Sequence, residues 1–132
     1  MALFQFTEAI LAGKPIQVFN NGEMLRDFTY IDDIVEGISR IVTGVRPAAA
    51  PTSALYNIGR GAPVKLMAFI SALEAALGVK AKMEMLPMQP GDVPATWADT
   101  VPLQRDYAYT PATDVETGIR EFVNWYKTYH KC

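Results

Sequence analysis

The chain has 132 residues, half of them hydrophobic and 20% charged, with a formal net charge of −2. That is one domain-sized unit with enough apolar residues for a single core, and its scattered charges form no basic stripe that would suggest nucleic acid as a partner. The lone cysteine (Cys132) and lone histidine (His130) sit at the end of the chain, so neither a disulfide framework nor a Cys/His metal site is expected. No apolar run is long enough for a membrane span and no signal-peptide pattern opens the sequence, so a reduced, cytoplasmic setting is expected.

The first element is helical. Leu3, Phe6 and Ile10, with Phe4 and Leu11 beside them, recur at helical spacing, and Gly13 supplies a C-terminal stop. The rhythm begins directly after Met1 with no leading strand or cap, which suggests a piece of something longer. Pro15 starts an extended run over residues 16–19. Asn20-Asn21-Gly22 then makes a turn, because Asn and Gly tolerate positive φ. Residues 25–30 read as a second strand. The two strands make either a hairpin or a pair flanking a binding loop.

Asp32 and Asp33 open a helix, where carboxylates suit the positive dipole end. Ile34, Val35, Ile38, Ile41 and Val42 form its apolar stripe, which ends near Gly44. Residues 46–53, with two prolines and several alanines, read as a surface connection. A short strand is expected over residues 54–58, followed by a Gly59-Arg60-Gly61 turn. Leu66, Phe69, Ile70, Leu73 and Leu77 make the clearest helix, closed by Gly78. Residues 81–86 alternate as a strand, with Met83, Met85 and Met88 read as packing. Residues 87–98 are irregular, and a short helix is expected near residues 100–107. The final helix is announced by a capping box from Thr113 to Glu116, with Val115, Ile119, Phe122, Val123 and Tyr126 facing the core and His130 in a frayed tail. This order is α/β or α+β, and the few short strands leave sheet edges that need covering.

Arg26 is the first candidate for chemistry. An arginine in a largely apolar strand needs a partner. That partner is either Asp27 or another acid, or else an anionic ligand held by the planar guanidinium fork. Gly59-Arg60-Gly61-Ala62-Pro63-Val64 imitates a dinucleotide-binding glycine loop but fails as one. Val64 replaces the third glycine, and Pro63 sits where the phosphate-binding helix should open. Gln89-Pro90-Gly91-Asp92 reads on its chemistry as an exposed turn. Asp99 suits a helix cap, Asp106 a surface position, and Trp97 and Trp125 a core or interface. No tyrosine is followed four residues later by lysine, and no complete catalytic constellation is present.

Three motifs carry a family resemblance. They are Arg26-Asp27-Phe28-Thr29-Tyr30-Ile31-Asp32-Asp33-Ile34, then Tyr56-Asn57-Ile58-Gly59, then residues 87–99 from Pro87-Met88-Gln89-Pro90-Gly91-Asp92 onward. In this order they cover nearly the whole chain. Together they resemble the carboxy-terminal part of an extended short-chain dehydrogenase/reductase, and most nearly the UDP-glucuronate 4-epimerase branch of the NAD-dependent nucleotide-sugar epimerases.

The resemblance implies a two-lobed parent. Its Rossmann lobe would hold NAD and a Tyr-x-x-x-Lys pair, and its smaller lobe would hold the UDP end of the substrate. Bound NAD would oxidise the sugar at C4 and return the hydride to the other face. Residues 1–132 match the smaller lobe, with about four helices and four to five short strands and no Rossmann sheet. The NAD loop and the Tyr/Lys pair are not in this sequence, so no cofactor is expected in this chain and little or no activity is expected from it alone. Carried over residue by residue, Arg26 matches the diphosphate-binding arginine. Gln17 and Phe19 match the strand segment bordering uracil, and Asp92 matches the acid that bonds the ribose hydroxyls. Gln89 falls where galactose-type relatives often carry a second phosphate-binding arginine, and Thr96 where they often carry tyrosine. The partners implied are a UDP-sugar, bound weakly by the lobe alone, and either a Rossmann lobe or a second copy docking on apolar surface.

Overall fold

The computed structural model describes residues 2–45 and 53–131. Five α-helices and four short strands are found among them: α1 (Ala2–Leu11), β1 (Pro15–Val18), β2 (Leu25–Arg26), α2 (Ile31–Thr43), β3 (Val64–Lys65), α3 (Leu66–Leu77), β4 (Lys82–Met85), α4 (Val101–Tyr107) and α5 (Val115–His130). The mixed α/β class holds, and the short helix expected near residues 100–107 is α4. Most of the connection expected over residues 46–53 lies outside the described residues.

β1 does not form a hairpin with β2. It pairs in parallel with β4, Pro15 opposite Lys82 and Val18 opposite Met85. β2 pairs antiparallel with β3, Leu25 opposite Lys65 and Arg26 opposite Val64. Between β1 and β2 the chain turns through Asn20 (φ 51°) and Asn21 (φ 50°), left-handed conformations that asparagine tolerates. Gly22 then lies against α3, where a Cβ would stand 2.6 Å from Met67 Sδ. The two strands therefore flank a loop.

The core lies between α1, α3, α5 and the buried side of β1. Ile10, Ile16, Val18, Ile70, Leu73, Ile119 and Val123 fill it. Phe28 stacks on Phe69 at its margin, ring centroids 4.1 Å apart. A second packing centre lies behind α2. There Tyr109 is fully buried and donates to the carbonyl of Gly59 at 3.2 Å. Burial, reinforced by the carboxylates of Asp33 and Asp27, raises the Tyr109 pKa and keeps the hydroxyl a donor. Gly37 lets α2 approach, since a Cβ there would lie 3.0 Å from Ile58 and 3.1 Å from the Tyr109 ring.

Several expected elements differ. The strand expected over residues 25–30 stops at Arg26; beyond it the Asp27 N–H turns to Thr96 Oγ1 and the Asp27 carboxylate to the N–H groups of Gly61 and Ala98. Residues 54–58 form no strand. Their backbone finds no hydrogen-bond partner among the described residues, and Leu55 is 91% exposed. The α5 cap is Asp114, one residue later than expected, and it accepts from the Thr117 N–H at 2.6 Å. The Thr113 N–H is instead taken by the buried carboxylate of Asp33, which also accepts from Ala112. His130 is not in a frayed tail: it ends α5 with its ring 4.3 Å from that of Tyr126.

Burial also departs from expectation in four places. Only part of the α2 stripe is covered, with Val35 56% and Val42 77% exposed. Met83 and Met85 lie on β4, an edge strand exposed at every position, so they do not pack as expected. Trp97 and Trp125, read as core or interface, are exposed, so neither belongs to the core of this chain. Asp106, expected at the surface, is half-buried and accepts from Arg105 and Tyr56, the Arg105 bond first and the Tyr56 bond second lowering its pKa.

Candidate functional site

Arg26 ends β2 with a half-buried side chain. One guanidinium nitrogen (Nη1) donates to the carbonyl of Leu25 at 2.9 Å. The other (Nη2) donates to Asp92 Oδ1 at 2.9 Å, an ion pair whose side chains are 23% and 31% exposed. Arg26 Nε makes no hydrogen bond among the described residues. Its acid partner is therefore 66 positions away, and the neighbouring Asp27 is not its partner.

Asp92 reaches Arg26 because its loop is tied down at both ends. At the entry, the Leu86 N–H donates to the carbonyl of Val18, and the Asn21 N–H to the carbonyl of Leu86. This fixes the exit of β4 beside the β1 turn. Within the loop the Asp92 N–H bonds back to the carbonyl of Gln89, and Gly91 takes φ +83°. At the exit, Leu25 donates to the carbonyl of Pro94 and accepts from the Thr96 N–H, so the segment runs parallel to β2.

Asp27 completes this frame. Its Oδ2 accepts from the Gly61 N–H and the Ala98 N–H, both at 3.0 Å. Its own N–H reaches Thr96 Oγ1 at 3.4 Å. Its Oδ1 is buried and meets no donor among the described residues. Gly59 makes the junction possible, since a Cβ there would fall 2.5 Å from that of Ala98. The glycine turn of residues 59–61 thus serves close packing. Sequence reasoning missed Asp27 in this role. The available signal was an acid at a strand end, where Asp is disfavoured unless its carboxylate has backbone donors.

The structure brings Arg26, Asp92 and Gln89 into one loop cluster, Gln89 through its carbonyl, with an exposed side chain. Gln17 is exposed in β1 opposite Glu84. Phe19 is half-buried at the β1 exit, on the turn fastened to Leu86. No hydrogen bond joins either side chain to the Arg26–Asp92 pair among the described residues. A separate cavity of about 410 Å³ is bordered by Leu3, Phe28, Tyr30, Ile34, Ile119 and Phe122. Its lining is almost wholly apolar and includes neither Arg26 nor Asp92, so it suits an apolar segment better than a nucleotide.

The arrangement offers a fixed cation, a carboxylate with one free oxygen, and a turn with open polar groups. It can hold an anion next to a hydroxylated group. It offers no base or nucleophile aimed at a reacting atom.

Residues 1–59 match the family model described as the NAD dependent epimerase/dehydratase family. The chain is 43% identical over 141 residues to a probable UDP-glucuronate 4-epimerase of Rhizobium meliloti, covering 96% of this chain and 41% of that protein. The chain is thus similar to part of the NAD-dependent UDP-glucuronate 4-epimerases. It is 49% identical over 144 residues to an uncharacterised 37.6 kDa protein of Escherichia coli O111:H-, covering 99% of this chain and 43% of that one. A crystal structure of the Bacillus cereus UDP-glucuronic acid 4-epimerase, in complex with UDP-glucuronic acid and NAD, superimposes with a TM-score of 0.87 at 28% identity, covering 98% of this chain and 40% of that one. The chain thus spans less than half the length of these relatives.

Proposed function

We propose that residues 1–132 are the UDP-sugar-binding lobe of an NAD-dependent nucleotide-sugar 4-epimerase that interconverts UDP-glucuronate and UDP-galacturonate, working in a cytoplasmic setting. Arg26 holds the diphosphate and Asp92 the ribose hydroxyls. The segment from Gln17 to Phe19 borders the uracil, and Gln89 adds a polar contact. NAD and the Tyr/Lys pair belong to a Rossmann lobe that this sequence does not contain, so the chain alone turns nothing over. The observation that carries the reading is the 2.9 Å approach of Arg26 and Asp92, from segments fastened to the β1 turn.

Calorimetry with UDP tests the site. Arg26→Ala is expected to weaken binding about tenfold or more, since a charge-assisted hydrogen bond is lost. Unchanged affinity overturns the assignment. A turnover assay with UDP-glucuronate and NAD tests the division of labour, and activity well above blank overturns it.

A second reading is favoured by the apolar face of α2, where Ile31, Val35, Ile38 and Val42 stand exposed. In that reading the chain is a non-catalytic module that docks through this face, either on a Rossmann lobe supplied by another chain or on a second copy of itself. A concentration-independent monomer in sedimentation, with no binding of an apolar dye, argues against it.

A further inference from the structure

We infer that Asp92 makes the Arg26 site selective, rejecting small inorganic anions and admitting a diphosphate only when a ribose comes with it. The inference rests on the UDP reading above and adds a selectivity to it.

The argument starts from the bonds that Asp92 makes. Its Oδ1 accepts from both Arg26 Nη2 at 2.9 Å and its own neighbour's N–H, that of Val93, at 2.8 Å. Those two bonds fix the carboxylate plane. Its Oδ2 has no donor among the described residues. One oxygen is therefore committed to the cation and the other is presented outward. Arg26 is also largely committed: Leu25 takes one hydrogen of Nη1, Asp92 and the sulfur of Met24 (3.8 Å) take those of Nη2, and Nε is left open.

A bare phosphate or pyrophosphate approaching this guanidinium meets a cation already neutralised, with a carboxylate beside it. It must either displace Asp92 or sit next to its negative charge. Both oppose binding, and partial burial reduces the screening of that repulsion. A nucleoside diphosphate meets the same repulsion but brings a vicinal diol. Two hydroxyl donors directed at a carboxylate form charge-assisted hydrogen bonds that offset it. The acid that repels the phosphates is thus the group that the ribose satisfies. Gln89 bears on this too: the turn contributes no second cation to outweigh Asp92, so the neutralisation of Arg26 is decisive here.

The test compares inorganic pyrophosphate, uridine and UDP on the 132-residue chain, as wild type, Asp92→Asn and Arg26→Ala, by calorimetry at low salt. Asp92→Asn keeps the Val93 bond through its amide oxygen and removes the charge. It is expected to bind pyrophosphate roughly three- to tenfold more tightly than wild type, to bind uridine more weakly, and so to lose most of the preference for UDP over pyrophosphate. Asp92→Ala is expected to shift the preference the same way without relying on the amide. If both Asp92 variants leave pyrophosphate affinity unchanged or lower it, while Arg26→Ala still weakens UDP, the selectivity inference fails and the UDP reading stands. If Arg26→Ala leaves UDP affinity unchanged, or the wild type binds no UDP, the UDP reading fails and this inference with it.

Discussion

Asp27 and Ala98 stand 71 positions apart, yet the Ala98 N–H donates to Asp27 Oδ2 at 3.0 Å. With the Gly61 N–H on the same oxygen, one carboxylate joins the β2 exit, the glycine turn and the segment that follows the Asp92 loop. Asp27→Ala leaves two backbone donors without their charged acceptor. A loss of roughly 3 kcal/mol is expected in urea unfolding. Asp27→Asn, which keeps an acceptor oxygen, is expected to lose less.

The turn before β2 gives a second prediction. Gly22 takes φ +81°, and a Cβ there would meet Met67 Sδ at 2.6 Å. Gly22→Ala is expected to cost roughly 1–3 kcal/mol, from backbone strain together with the displaced methionine. In a double-mutant cycle, Met67→Ala should be less costly in the Gly22→Ala background than in wild type, by roughly 0.5–1 kcal/mol. Strict additivity would mean that the two side chains do not meet.

Glu74 governs part of the acid response. It is buried on α3 and accepts from Lys80 Nζ at 2.6 Å and from the Ala81 N–H at 2.9 Å. The Lys80 bond first, and the Ala81 bond second, lower its pKa. A carboxylate with a lowered folded-state pKa contributes stability that is fully present above the unfolded value of about 4.3. That contribution is lost as pH falls through the folded value. Wild type should therefore lose more melting temperature between pH 6 and pH 3 than Glu74→Gln does. Equal losses would remove Glu74 from the acid response.

The apolar face of α2 gives a fourth prediction. Val35 and Ile38 are exposed, so Val35→Lys with Ile38→Glu should change unfolding stability by no more than about 0.5 kcal/mol each. The same pair should lower any concentration-dependent association seen in sedimentation. A large loss of stability would show that the face is covered in the isolated chain.

What the sequence made legible was local. The span of α3 follows from an apolar stripe and one terminal glycine, both within a single segment, and Gly78 takes φ +74° as that stop requires. The left-handed Asn20-Asn21 turn is equally self-contained. Whatever depended on a distant partner was not legible. Residues 54–58 have strand composition, but a strand needs a neighbour to bond. The α2 stripe has helical spacing, which marks a face without saying whether this chain covers it. The acid opposite Arg26 could not be chosen from the linear order, because Asp27 is adjacent and Asp92 lies across the whole α3–β4 unit. Asp27 escaped notice for the same reason, as its donors come from two loops far along the chain.

The parallel pairing of Pro15 with Lys82 and the Arg26–Asp92 bond across 66 positions also have a kinetic meaning. Neither can form until the chain has closed a long loop, and contacts of that kind slow folding and come at the expense of chain entropy. A chain with only its helices in place therefore has no ion pair to offer. A ligand that grips Arg26 and Asp92 together has no foothold on such a chain, so it favours the completed fold by mass action and leaves the earlier collapse untouched.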